Sequence, residues 1–115
     1  MSELEGEVAE YITAATLAKV LRWDRQYAGM LPLGAYWSRA WPPLLGLVEQ
    51  ECRSTRRRLG ARGCRILAED LGEDKCVRVR YLHAGMESTC TLLPVLLKRR
   101  CEAMLTGLLV GRQQR

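Results

Sequence analysis

Up to about residue 60 the apolar residues of this chain recur every three to four positions; beyond Gly63 they recur every second position. The first spacing lines one face of a helix and the second lines one face of a strand. That switch divides the chain into a helical first half and a second half that opens with strands, and it leaves few ways to assemble them.

The first helix is announced by "SELE". Ser2 can accept a hydrogen bond from the amide three residues on, and Glu5 can reach back to the Ser2 amide. Glu3, Glu5 and Glu7 sit where a helix dipole favours acids. Leu4, Val8, Tyr11, Ala15 and Ala18 form one apolar stripe, and Leu17, Val20, Leu21 and Trp23 add a second. A helix apolar on two sides is central to a fold or part of a subunit interface.

"AGMLPLGAYW" (28–37) is expected to break this helix, with Gly29, Pro32 and Gly34 as punctuation. Pro42 and Pro43 suit the first turn of a second helix, where a missing amide costs nothing. Its apolar side is Trp41, Leu45, Val48, Cys52 and Leu59, and Gly60 marks its stop. Residues 64–70 and 76–84 then read as strands around the turn "LGEDK", with Val77, Val79, Tyr81 and His83 alternating against Arg78, Arg80 and Leu82. "AGMES" is a further turn and "ESTCTLL" a third strand. Pro94 opens a last helix whose buried side is Leu97, Cys101, Met104, Leu105 and Leu108, ended by Gly111. The expected fold is α+β in the order αα-βββ-α: two N-terminal helices, a small three-stranded antiparallel sheet and a C-terminal helix. Its 115 residues make a single domain, 1–115.

Several function classes receive no support. The five cysteines are never closer than eleven positions apart, so there is no zinc-ribbon or thioredoxin-like pair. Each lies among apolar neighbours, which suits reduced thiols in the cytoplasm. The acidic start is unlike a secretory signal, and no apolar run approaches the length of a membrane span. No phosphate-binding glycine loop or nucleophile elbow is present. The lone histidine, His83, falls on the apolar side of a strand and reads as a structural residue. Cys90 on the next strand is the nearest candidate partner for it. Glu69, Asp70, Glu73 and Asp74 read as solvated hairpin residues. No enzyme, cofactor, metal or membrane contact is expected.

Charge is concentrated. The chain is formally +5, while "RSTRRRLGARGCR" (53–65) holds six arginines and no acid. On a helical wheel Arg53 and Arg57 lie away from the apolar stripe, Arg56 at its near edge and Arg58 on the other flank; Arg62 and Arg65 continue into the loop and first strand. Two readings stand side by side. One is a phosphate-binding patch for DNA or RNA. The other is a solvated helix end, where cations complement the dipole and Glu49 pairs with Arg53. Lys98, Arg99 and Arg100 follow Pro94 closely, where cations oppose the dipole; use in binding or an acidic neighbour in the fold would explain them.

The αβββα order with bases near the second helix resembles double-stranded RNA-binding domains at the level of topology. That family places its basic motif at the start of the last helix and has Gly-rich hairpin features not evident here, so no residue is carried over.

Five of the seven aromatic residues, Trp23, Tyr27, Tyr36, Trp37 and Trp41, fall between positions 23 and 41. They are read as core or as a protein interface rather than a ligand pocket, in a chain that has no Phe. The expectation is a cytoplasmic, non-enzymatic protein that self-associates, or meets a protein partner, through its Trp- and Leu-rich helices. The alternative is a nucleic-acid-binding module using Arg53, Arg56, Arg57, Arg58, Arg62 and Arg65, with Lys98, Arg99 and Arg100 as a second cluster.

Overall fold

The computed structural model describes residues 2–113. Helix α1 spans Glu3–Arg25, a 3-10 turn Ala28–Met30, and helix α2 Gly34–Ala61; strands β1 (Cys64–Leu71), β2 (Val77–His83) and β3 (Met86–Leu92) precede helix α3 (Pro94–Gln113). The αα-βββ-α order is the expected one. The sheet is antiparallel, ordered β1-β2-β3.

Local chemistry sets the element ends. The Ser2 hydroxyl accepts from the Glu5 amide at 3.1 Å, the first half of the capping box. In the β1–β2 turn, Asp74 accepts from the Cys76 amide and takes both guanidinium nitrogens of Arg78, at 3.2 and 2.7 Å. Arg78 and that amide hold its carboxyl well below the usual carboxylate range. Ala84 and Gly85, both at positive φ, make the two-residue turn between β2 and β3. That backbone matches the twist of the strands it joins.

The start of α2 corrects the sequence expectation. The helix begins at Gly34, so Pro42 and Pro43 lie more than two turns inside it. Each proline withholds a donor from the carbonyl four residues back. Those carbonyls belong to Ser38 and Arg39, which are exposed, so water can replace the donor. Tertiary contacts hold the first turns in place. The Trp41 indole N–H donates to the Leu21 carbonyl of α1 at 2.8 Å, and Gly34 sits directly on the Gly29 carbonyl, a space that no Cβ can share.

The helices cover one face of the sheet with two joined cores. At the sheet end, Val8, Tyr11 and Ile12 of α1 and Leu59 of α2 pack on Val79, Tyr81, Cys90 and Leu92. At the helical end, Leu17, Ala18 and Leu21 meet Leu45 and Val48, with α3 adding the half-buried Met104, Leu105 and Leu108. Thr55 is also buried, its hydroxyl donating to the Cys52 carbonyl.

A bulge between Ile66 and Ala68 reverses which β1 residues face the helices. Beyond it Glu69 and Leu71 stand opposite Val79 and Val77 on the inner face. Glu69 is exposed, as a solvated residue is expected to be, but it lies on β1 at the inner face, pairs with Lys19 at 3.8 Å and lies against the Tyr11 hydroxyl.

Candidate interaction surface

Three features of the molecule lie outside its core: an apolar helical end, a groove beside it, and a set of arginines. The helical end is where α1, the 3-10 turn and the start of α2 meet. Trp23 and Tyr27 follow Thr16 and Val20 along one stripe of α1 and continue past its end, their rings 6.2 Å apart. Trp23 is 62% exposed, Met30 82% and Leu33 76%; Tyr27, Leu31 and Tyr36 are also exposed. Large exposed apolar patches on proteins are commonly places of contact. Leu33 is held in the left-handed region at φ 63°, ψ 35°. A side chain there costs of order 1 kcal/mol, and it is spent on presenting a leucine to solvent.

The five aromatic residues singled out from sequence divide. Trp23, Tyr27 and Tyr36 are exposed, while Trp37 and Trp41 are half-buried. Tyr36, Trp37 and Trp41 run edge to face along α2, with centroids 5.3 and 5.9 Å apart. Trp41 belongs to the structure of the hairpin through its bond to Leu21.

The groove, about 660 Å³, runs from the sheet end to the helical end between α1 and α3. Its floor is apolar, from Ile12, Leu17, Leu21, Leu97, Cys101 and Leu105. Leu71 and Val77 close one end; Asp24 and Trp41 line the other. All three lysines of the chain, Lys19, Lys75 and Lys98, line it, and among the described residues no arginine does. Sequence reading missed this groove because four separated segments build it.

The basic segment does not stay together. Arg58 donates to Ser54 at 3.2 Å and lies 3.8 Å from Glu51. Arg62 turns to the start of α1, 3.0 Å from Glu7 and 3.8 Å from Glu3. Arg65 is exposed on β1, on the sheet face that points away from the helices. Arg53, Arg56 and Arg57 are exposed on α2. Arg53 lies across a shallow pocket from Arg22 of α1, a neighbour that sequence spacing did not reveal, and Arg22, Arg53 and Arg56 all act on Cys52. The second cluster also separates. Arg100 faces Glu10 at 3.9 Å, the acidic neighbour that the sequence allowed for, whereas Lys98 lines the groove and Arg99 is exposed.

The titratable groups have ordinary causes for their shifts. Burial pushes all five cysteine thiols up, the opposite of an activated nucleophile. Cys90 stands opposite Val79, four residues along β2 from His83, or about 13 Å at strand rise. The two are thus not a pair; the residues across from His83 are the buried Cys64 on β1 and the exposed Met86 on β3. Tyr11 is pushed up to about 12, by burial first and then by Glu69. Among the described residues no three His, Cys, Asp or Glu side chains gather as a metal site, and no helix is long and apolar enough to cross a membrane.

The sequence profile of the YhjD protein family matches residues 3–113, from the first residue of α1 to the last of α3. The chain belongs to the YhjD family. No curated protein and no solved structure matches it. For this YhjD family member the surface itself is informative. Its accessible area is 7726 Å², more than about 1,000 Å² above that usual for a monomer of this mass. Its radius of gyration is 15.5 Å, against about 13 Å for a compact chain of this length.

Proposed function

We propose that this YhjD family member is a non-enzymatic, cytoplasmic interaction protein that associates with itself through the aromatic end of its helical hairpin. The observation that carries the reading is the exposed run of Trp23, Tyr27, Met30, Leu31, Leu33 and Tyr36. Aromatic residues and Met are enriched at the centres of protein interfaces, and a strained backbone presenting one of the exposed residues fits a site of use. The excess surface fits too. Two chains each covering that excess would bury more than about 2,000 Å², the range of permanent homodimers.

The test is light scattering on the purified chain. The reading expects a mass twice the 13.0 kDa of one chain, falling toward the monomer when Trp23 and Met30 are both changed to Ser. Both are exposed, so the fold survives the change. A wild type that stays monomeric at submillimolar concentration overturns the reading.

A second reading rests on Arg22, Arg53 and Arg56, which come from two helices around Cys52, have no ion pair within 4.0 Å among the described residues, and would meet phosphates of DNA or RNA beside Glu49 and Glu69. Fluorescence anisotropy with labelled duplexes and single strands tests it. It expects binding that weakens steeply with salt and is lost when Arg53 and Arg56 become Glu; equal binding by that variant removes the reading.

A further inference from the structure

We infer that the groove between α1 and α3 is the receptor for a second copy of this chain, each copy seating its Trp23 in the partner's groove across a two-fold axis. This rests on the self-association proposed above and names the surface that completes it. Three observations carry it.

The apolar stripe is continuous with the groove. Thr16 and Val20 line the groove, and Trp23 is the next residue of the same α1 stripe, standing outside it at 62% exposure. At the far end Leu71, 69% exposed, lines the mouth of an apolar trough that none of the described residues fills. Two α1 helices crossing antiparallel near Thr16 would carry each Trp23, seven residues or about 10 Å further along the helix, from its own helical end toward the sheet end of the other copy. A two-fold contact must be self-complementary in this way.

The charges are complementary under the same operation. Lys19 is already paired with Glu69. Among the described residues Lys75 and Lys98, lining the groove's sheet end, and Asp24, at its helical end, have no ion pair within 4.0 Å. Antiparallel pairing places Asp24 of each copy against the cationic end of the other, twice.

Both kinds of charge also have the wrong sign for their own helix. Asp24 stands in the last turn of α1 and Lys98 just past the first turn of α3, where the helix dipoles favour a cation and an anion respectively. Asp24 is not explained by the stability of the single chain, and Lys98 only in part, since Glu102 lines the same groove one turn further along α3. Both are explained by a partner.

The experiment is a charge swap, read by light scattering and sedimentation. Asp24→Lys and Lys98→Glu each improve the match to the local dipole, so neither is expected to lower the melting temperature. Each alone is expected to weaken dimerisation about tenfold or more, through like charges brought together. The double variant is expected to recover most of the loss, because the pair re-forms with its signs exchanged. Circular dichroism on the same samples checks the fold. A dimer indifferent to both single variants yet lost on changing Trp23 and Met30 overturns the groove while leaving self-association standing. Single losses without recovery in the double variant also overturn it. A monomeric wild type overturns both proposals, as does native mass spectrometry showing a small amphiphile held by the monomer and lost in Leu71→Glu.

Discussion

The indole nitrogen of Trp41 lies 2.8 Å from the carbonyl oxygen of Leu21, and this bond ties α2 to α1 across twenty residues of sequence. It explains why a helix can begin at Gly34 despite two prolines in its third turn, since the first turns are held by a neighbour as well as by their own ladder. Trp41→Phe keeps an aromatic ring, though a smaller one, and removes the donor. Loss of one such bond costs about 1 kcal/mol, so urea unfolding should show a lower midpoint with an unchanged slope. An unchanged midpoint would mean the bond does not anchor the hairpin.

Leu33 separates folding from association. At φ 63° glycine is unstrained where leucine is not. The Leu33→Gly variant is therefore expected to melt within about 1 kcal/mol of the wild type while its dimer weakens. Calorimetry and light scattering on one preparation read both quantities. A large fall in melting temperature would show that the side chain serves the fold instead.

Tyr11 and Glu69 make the fold sensitive to alkali. The Tyr11 hydroxyl is raised from 10.0 to about 12 by burial and by the Glu69 carboxylate. A raised folded-state pKa gives stability that is complete below the unfolded value and lost as pH rises through the folded one. The window runs from pH 10 to about 12. Absorbance of phenolate should include a step near pH 12 that Tyr11→Phe removes, and the variant should lose stability less steeply across that window.

The five thiols are raised by burial, and all five are free. A thiol-reactive dye is therefore expected to react slowly with the native protein at neutral pH and quickly in denaturant. Fast reaction of one native thiol would point to an activated cysteine.

What was legible in the sequence was local. Ser2 and Glu5 are three residues apart, and the alternation of Val77, Val79 and Tyr81 needs no neighbour to be read. What escaped depends on contacts between distant segments. The early start of α2 rests on Leu21 and Gly29, and the inward turn of Glu69 on a bulge at Leu67 that no glycine or proline announces. The arginine run looked continuous because sequence proximity was all there was to judge by; in space Arg62 goes to Glu7 and Arg22 joins Arg53. The wrong-signed Lys98 was visible from sequence, but Asp24, at the far end of the same groove, acquires meaning only once α1 and α3 lie side by side.

The most direct measurement is the mass of the wild-type chain in solution, by light scattering across micromolar to submillimolar concentration. Twice the 13.0 kDa chain mass, lost when Trp23 and Met30 become Ser, is the predicted result. A single 13.0 kDa species throughout would contradict self-association and leave the apolar hairpin end to a different partner.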